Sequence, residues 1–125
     1  MEDSALVLEI VIENPVGSTT RIVHDPERGW VEVEPAFSTP IPAEYGYLPG
    51  TYNPADGDPV DAMVIRWGPT FPGCRYTVRA VGLLLRADGD HKVLAVPHTP
   101  EFVSPVCDLP EVDPELLRRI EDWFR

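Results

Sequence analysis

Three carboxylates lie within the six residues Asp56-Gly57-Asp58-Pro59-Val60-Asp61. On an extended segment Asp56 and Asp58, two apart, point the same way. Gly57 and Pro59 let the backbone bend and bring Asp61 round to the same spot. Converging like charges repel and raise one another's pKa values. A divalent cation removes that penalty, and all-oxygen ligation suits Mg2+, Mn2+ or Ca2+. The competing reading is a solvated acidic loop. An EF-hand loop fits poorly, because Val60 and Asp61 fall where that motif needs Asp or Asn and then Gly.

A second acidic pair, Asp88 and Asp90, precedes Lys92, the one lysine of the chain. By itself Ala87-Asp88-Gly89-Asp90-His91 is a hairpin tip. On the strand leaving that turn Asp90 and Lys92 share a face. A lysine beside cation-binding carboxylates is suited to hold a phosphate oxygen. Glu13 closes a strand on its less apolar face and, taken alone, reads as solvent-facing.

The elements that must carry these groups are mostly strands. Leu6, Leu8, Ile10 and Ile12 alternate with Val7, Glu9, Val11 and Glu13. Arg21 to Val23 and Trp30 to Glu34 flank the turn His24-Asp25-Pro26-Glu27-Arg28-Gly29 and read as a hairpin. Pro35 to Pro59 reads as a long loop region broken only at Tyr45-Gly46-Tyr47, and loops of that length are usually functional. Ala62 to Trp67, Tyr76 to Arg86 and Lys92 to Val96 are further strands. Asp113 caps a last helix that has Pro114 and Glu115 in its first turn. Leu116, Leu117, Ile120, Trp123 and Phe124 give that helix one apolar face. Many short strands before one terminal helix predict a mainly β (α+β) fold, a small barrel with the helix packed on it.

Composition bounds the rest. The 125 residues, 43% hydrophobic, suit one folded domain, 1–125. No apolar run spans a bilayer and no basic segment precedes a hydrophobic one, so the cytoplasm is the expected compartment. A net charge of −11 argues against nucleic acid and anionic membranes as partners. It also suits an anionic substrate poorly unless cations stand between. Glu13, Asp56, Asp58, Asp61, Asp88 and Asp90 account for six of those charges. Cys74 and Cys107 lack metal-site spacing and are expected to be ordinary buried thiols. His24 and His98 read as surface histidines, and Trp30, Trp67 and Trp123 as core or interface aromatics.

Several segments in order carry a resemblance: Ile12-Glu13, Glu44-Tyr45-Gly46-Tyr47, Asp56 to Asp61, Val81-Gly82-Leu83, Asp88-x-Asp90-x-Lys92, and Leu94-Ala95-Val96-Pro97-His98. Together, from Ile10 to about Phe124, they resemble the family I soluble inorganic pyrophosphatases. Pro69 to Gly73 and Asp108-Leu109-Pro110-Glu111 are similar to that family's Pro-Gly turn and its approach to the terminal helix. The resemblance implies an OB-like five-stranded β-barrel with a C-terminal α-helix, and Mg2+-dependent hydrolysis of pyrophosphate to two phosphates, Mn2+ being a substitute. By position it implies that Asp56, Asp61 and Asp90 hold the tightest metal, and that Asp61 also holds a second. Asp58 is then the general base on the water shared by those two. Asp88 and Asp90 bind a metal that arrives with substrate, and Glu13 helps hold another. Lys92, Tyr45 and Arg21 contact phosphate oxygens, Arg21 standing where the family usually has lysine. The implied partner is pyrophosphate or another small diphosphate, and the implied assembly is a homo-oligomer.

The chain also departs from the family's pattern. Pro35, Val23 and Ile41 stand where an arginine, an acid and a tyrosine are usual, and the family continues past the position of Arg125 into a phosphate-binding Tyr-Lys pair. Arg79 or Arg86 on the long strand, or His91 beside Lys92, is a candidate to replace a lost phosphate contact, the competing reading of each being a solvated strand residue. Two alternatives stay open at this point: a weak or inactive relative that binds divalent metal and a phosphorylated ligand, and a hydrolase of an organic diphosphate.

Overall fold

Leu8, Ile10 and Ile12 alternate along the first strand and turn the same way, as a period of two requires. The computed structural model describes residues 6–65, 67–100, 102–103 and 112–124. In chain order its elements are β1 (Val7–Asn14), β2 (Arg21–Asp25), β3 (Gly29–Val33), β4 (Glu44–Asn53) and β5 (Asp58–Val64). They continue with β6 (Arg75–Leu84), β7 (Lys92–Thr99), β8 (Phe102–Val103) and α1 (Pro114–Trp123). The order β5-β4-β1-β6-β7 closes into a five-stranded barrel because β5 also pairs with β7, in parallel. β2 and β3 form a separate hairpin, and β8 adds to β7.

Alternation divides the apolar residues between two cores. Ile12, Leu48, Ala62, Val78 and Ala95, one from each barrel strand, fill the interior. Met63, Val81, Leu94 and Val96 face outward and are covered by Leu116 and Ile120 of α1. Each large aliphatic side chain so buried contributes about 1.5–3 kcal/mol. Asp113 caps α1, its carboxylate accepting from the Glu115 N–H at 3.0 Å. Leu117, Trp123 and Phe124 pack against the edge of this outer core, so the expected apolar face holds.

Several boundaries differ from the sequence reading. β4 runs from Glu44 to Asn53 through Pro49-Gly50, which composition marks as loop. Those residues are tolerated because pairing with β5 lapses between Leu48 and Asn53. β5 begins at Asp58, inside the stretch read as loop, and β7 continues to Thr99. Gly46 has a steric reason: a Cβ there would run into the Val11 carbonyl of β1. Cys74 is half-buried rather than buried. Cys107 and residues 108–111 lie outside the described residues.

Register shifts in two ladders decide where side chains near the polar end of the barrel point. The β1–β4 ladder pairs Ile12 with Gly46 and then Asn14 with Tyr45, so Glu13 is an extra residue, a bulge. The β6–β7 ladder shifts between Ala80 and Gly82. Val81, the extra residue at that shift, and Leu84, three residues on, both reach the outer core.

Candidate active site

The outward face of the barrel leads from the α1-covered core into a polar patch. On β5, Asp61 lies two residues before Met63; on β7, Lys92 lies two before Leu94; on β4, Tyr45 faces Met63 across the ladder. The parallel register pairs Ala62 with Val93, and one step back brings Asp61 beside Lys92. The Lys92 ammonium donates to Asp61 Oδ2 at 2.9 Å and to Asp90 Oδ2 at 3.0 Å. Tyr45 Oη donates to the same Asp61 oxygen at 2.9 Å. The apolar edge of this face thus ends in a lysine, two carboxylates and a phenol.

Asp56 joins them from the turn before β5. Oxygens of Asp56, Asp61 and Asp90 all lie within 4.8 Å of one another. Asp56 is exposed and the other two half-buried. Three hard, anionic donors converging at that spacing fit a hard divalent cation. The sequence reading set Asp56 and Asp58 on one extended face; instead residues 54–57 form a turn, with Gly57 at φ +78°. Asp58, exposed, opens β5 beside the trio, its N–H donating to Asp56 Oδ1 at 2.9 Å.

The remaining acids flank this centre. Glu13 is not solvent-facing; the bulge turns it toward Asp58 and Asp61 in a cavity of about 550 Å³ that Arg21 also lines. Burial, then the charge of Asp61, push its pKa up to about 7, against the opposing pull of Lys92. Asp88 is exposed and accepts from the Asp90 N–H at 2.9 Å, which holds its pKa below the usual carboxylate value. Burial opposes charge on Lys92, but hydrogen bonds from its amine to Asp61 and Asp90 outweigh that and raise its pKa. Burial, reinforced by Asp61, pushes Tyr45 well above the usual phenol value, so it remains a donor.

A second cleft of about 480 Å³ adjoins the first, sharing Asn14, Arg21, Tyr45 and Asp61 with it. Lys92, Asp90 and Arg86 line it, together with Phe37, Trp123 and Phe124. Arg21 lies over the Phe37 ring, 4.6 Å from its centroid, and donates from Nε to the Pro35 carbonyl at 2.8 Å. Of the three basic residues considered as further phosphate contacts, only Arg86 lines this cleft. His91 accepts from the Arg86 backbone N–H, and Arg79 is buried beside His98 Nδ1 at 3.1 Å. His98 is accordingly half-buried rather than a surface residue, whereas His24 is exposed and stacks edge-on with Trp30. Trp123 serves the cleft wall as well as the core edge.

Two amides had no functional reading from sequence. Asn53 donates to Asp90 Oδ1 at 2.9 Å and accepts from Ala55 N at 3.0 Å, tying the two acidic turns together. Asn14 exchanges hydrogen bonds with both the N–H and the carbonyl of Ile22, which fastens the hairpin carrying Arg21 to β1. Both are buried, and a buried amide needs such partners. Glu44 is buried too but away from the trio. Its carboxylate accepts from Val16 N, Thr70 N and the Thr70 hydroxyl, joining two loops.

Comparison with known proteins agrees with this geometry. A family model described as inorganic pyrophosphatase matches residues 10–125. An inorganic pyrophosphatase of Methanosarcina acetivorans is 38% identical over 123 residues, covering 94% of this chain and 73% of that protein. One from Halalkalibacterium halodurans is 42% identical over 113 residues, covering 84% and 69%. The crystal structure of inorganic pyrophosphatase from Thermus thermophilus superposes with a TM-score of 0.85 at 31% identity, covering 99% of this chain and 74% of that one.

Proposed function

The chain belongs to the family I soluble inorganic pyrophosphatases, and we propose that Asp56, Asp58, Asp61, Asp88, Asp90, Glu13, Lys92, Tyr45 and Arg21 form its active site. It is an inorganic diphosphatase, hydrolysing pyrophosphate to two phosphates with a divalent metal. The observation that carries the residue assignment is the convergence of Asp56, Asp61 and Asp90 next to Lys92 and Tyr45.

In this reading Asp56, Asp61 and Asp90 would hold the first metal, Asp61 would also serve a second, Asp88 and Asp90 would serve a third, and Glu13 would help hold another. A metal held there would neutralise phosphate oxygens and lower the pKa of a bound water, easing its deprotonation. Mg2+ is the proposed ion and Mn2+ its substitute, since every donor is a hard oxygen. Asp58, exposed beside the trio, accepts the proton of the attacking water. The water oxygen bonds to one phosphorus while the bridging P–O bond breaks, its electron pair leaving on the second phosphate. Lys92, Tyr45 and Arg21 orient the diphosphate and stabilise charge on the leaving group.

The test is phosphate release from pyrophosphate with Mg2+, native chain against Asp58→Asn. Loss of a general base lowers turnover by about 10²–10⁴-fold, while Mg2+ binding stays near native. Equal turnover in the two chains refutes the role of Asp58; no release by the native chain refutes the activity. Exposed Leu6, Val7, Leu83 and Leu85 support a homo-oligomer, which sedimentation tests. Among the described residues no helix is long and apolar enough to cross a membrane, and a cytoplasmic enzyme is the reading we adopt.

A further inference from the structure

Past the register shift in β6, side chains keep alternating. Leu84 packs on the outer core, Leu85 is 70% exposed, and Arg86 turns back toward the site. The Arg86 guanidinium carbon lies 5.0 Å from the centroid of the Phe124 ring. Its backbone N–H donates to His91 Nδ1 at 2.8 Å, which fixes the tip from which the side chain springs. Among the described residues its nearest anion is Asp88, at 3.8 Å and exposed, a loose pair.

Arg21 repeats this arrangement over Phe37. Phe37, Trp123 and Phe124 are in contact edge to face, with centroids 5.1 and 4.9 Å apart. One aromatic rail therefore carries an arginine at each end, and both arginines line the cleft that holds Lys92 and Tyr45. Stacking restricts a guanidinium without using its N–H groups, so less freedom is lost when it binds an anion. A planar fork also matches two oxygens of one phosphoryl group, which a point charge does not.

We infer that Arg86 is a substrate-binding residue, gripping the phosphoryl group that leaves, and that Phe124 is its positioning residue. The assignment rests on the diphosphatase activity proposed for the same site. Asp58 lines one cavity and Arg86 the other, with Tyr45, Asp61 and Arg21 at their junction. A diphosphate attacked on the Asp58 side thus presents its second phosphate to Arg86. Negative charge grows on that phosphate as the bridging bond breaks.

The experiment compares native chain, Arg86→Met, Arg86→Lys and Phe124→Leu. Binding of methylenediphosphonate, a non-hydrolysable diphosphate, is measured by calorimetry in saturating Mg2+, beside pyrophosphate turnover and Mg2+ binding alone. Losing one charge-assisted phosphate contact corresponds to about 10- to 100-fold. Arg86→Met is expected to weaken methylenediphosphonate binding and lower kcat/KM by that factor, with Mg2+ binding unchanged. Arg86→Lys recovers part of the loss, and Phe124→Leu shows a smaller loss in both readouts. Equal affinity of the native and Arg86→Met chains for methylenediphosphonate overturns the inference, whatever turnover does. Failure of the native chain to release phosphate would refute the diphosphatase reading instead, and the calorimetric comparison would still decide Arg86.

Discussion

The Lys92 ammonium lies 2.9 Å from Asp61 Oδ2, inside the group of carboxylates that converges on one point. The lysine is 2% exposed, so its charge is compensated mainly by Asp61 and Asp90. The same two acids are the ones a cation would engage. In the proposed site lysine and metal would therefore share ligands, each altering what the other gains from them.

Lys92→Met is expected to make stability depend more strongly on Mg2+. Without the ammonium, Asp61 and Asp90 repel each other, a loss of about 1–3 kcal/mol for charge-assisted bonds. A cation restores the balance. Thermal melting with EDTA and with Mg2+ checks this: the Mg2+-induced rise in Tm should be larger in the variant than in the native chain. A smaller rise would mean that Lys92 assists metal binding rather than competing with it.

Glu13 makes the metal-free protein less stable as pH rises. Its folded pKa of about 7 lies above its ordinary 4.5, through burial and then Asp61. Between those values the folded chain keeps a proton that the unfolded chain has released. By linkage its contribution is full below about pH 4.5 and is lost as pH rises through about 7, by on the order of 2–3 kcal/mol. Denaturant titrations in EDTA at several pH values, native against Glu13→Gln, should converge at low pH and diverge toward neutrality, the variant becoming the more stable. Parallel profiles would exclude the effect.

Asn53→Ala should weaken Mg2+ binding by roughly 10-fold, the usual scale for a residue that orients a ligand. Its amide holds Asp90 and closes the turn that presents Asp56. Calorimetric titration with Mg2+ measures the loss. Unchanged affinity would show that the carboxylates orient themselves.

Gly46→Ala tests the fold beneath the site. The added methyl meets backbone atoms of Val11 and Ile12, which cannot swing aside. Overpacking of this kind costs about 1–3 kcal/mol or more, and a fall in Tm of roughly 10 °C is expected. Differential scanning calorimetry decides it, and a native-like Tm would mean that β1 and β4 separate without penalty.

Signals carried by neighbouring residues are legible in the sequence alone. The alternation of Leu8, Ile10 and Ile12 marks β1, and Asp113-Pro114-Glu115 marks the start of α1, because both signals are local. The acids are legible through their order along the chain, which carries the family resemblance. What escapes depends on partners far away in sequence. Glu13 reads as solvent-facing because a bulge is a relation between two strands and leaves no mark on one. Asn53 and Asn14 look like loop and strand-end residues, since an amide's partners are invisible until the fold brings them. β4 passes through Pro49-Gly50 because its neighbour lets go there, a permission that composition does not record. Arg86 faces the cleft only because the β6 register shifts upstream of it.

The parallel junction of β5 and β7 is the seam at which the barrel shuts, and the acidic residues straddle it. Asp56 and Asp61 arrive on one margin, Asp90 and Lys92 on the other. An ion seated among them would act as a clasp across that seam. Opening the barrel there would dismantle the seat, so occupancy and closure rise and fall together. On the proposed assignment catalytic competence in this chain is a readout of topology: the reagents exist as a group only while the two margins remain fastened.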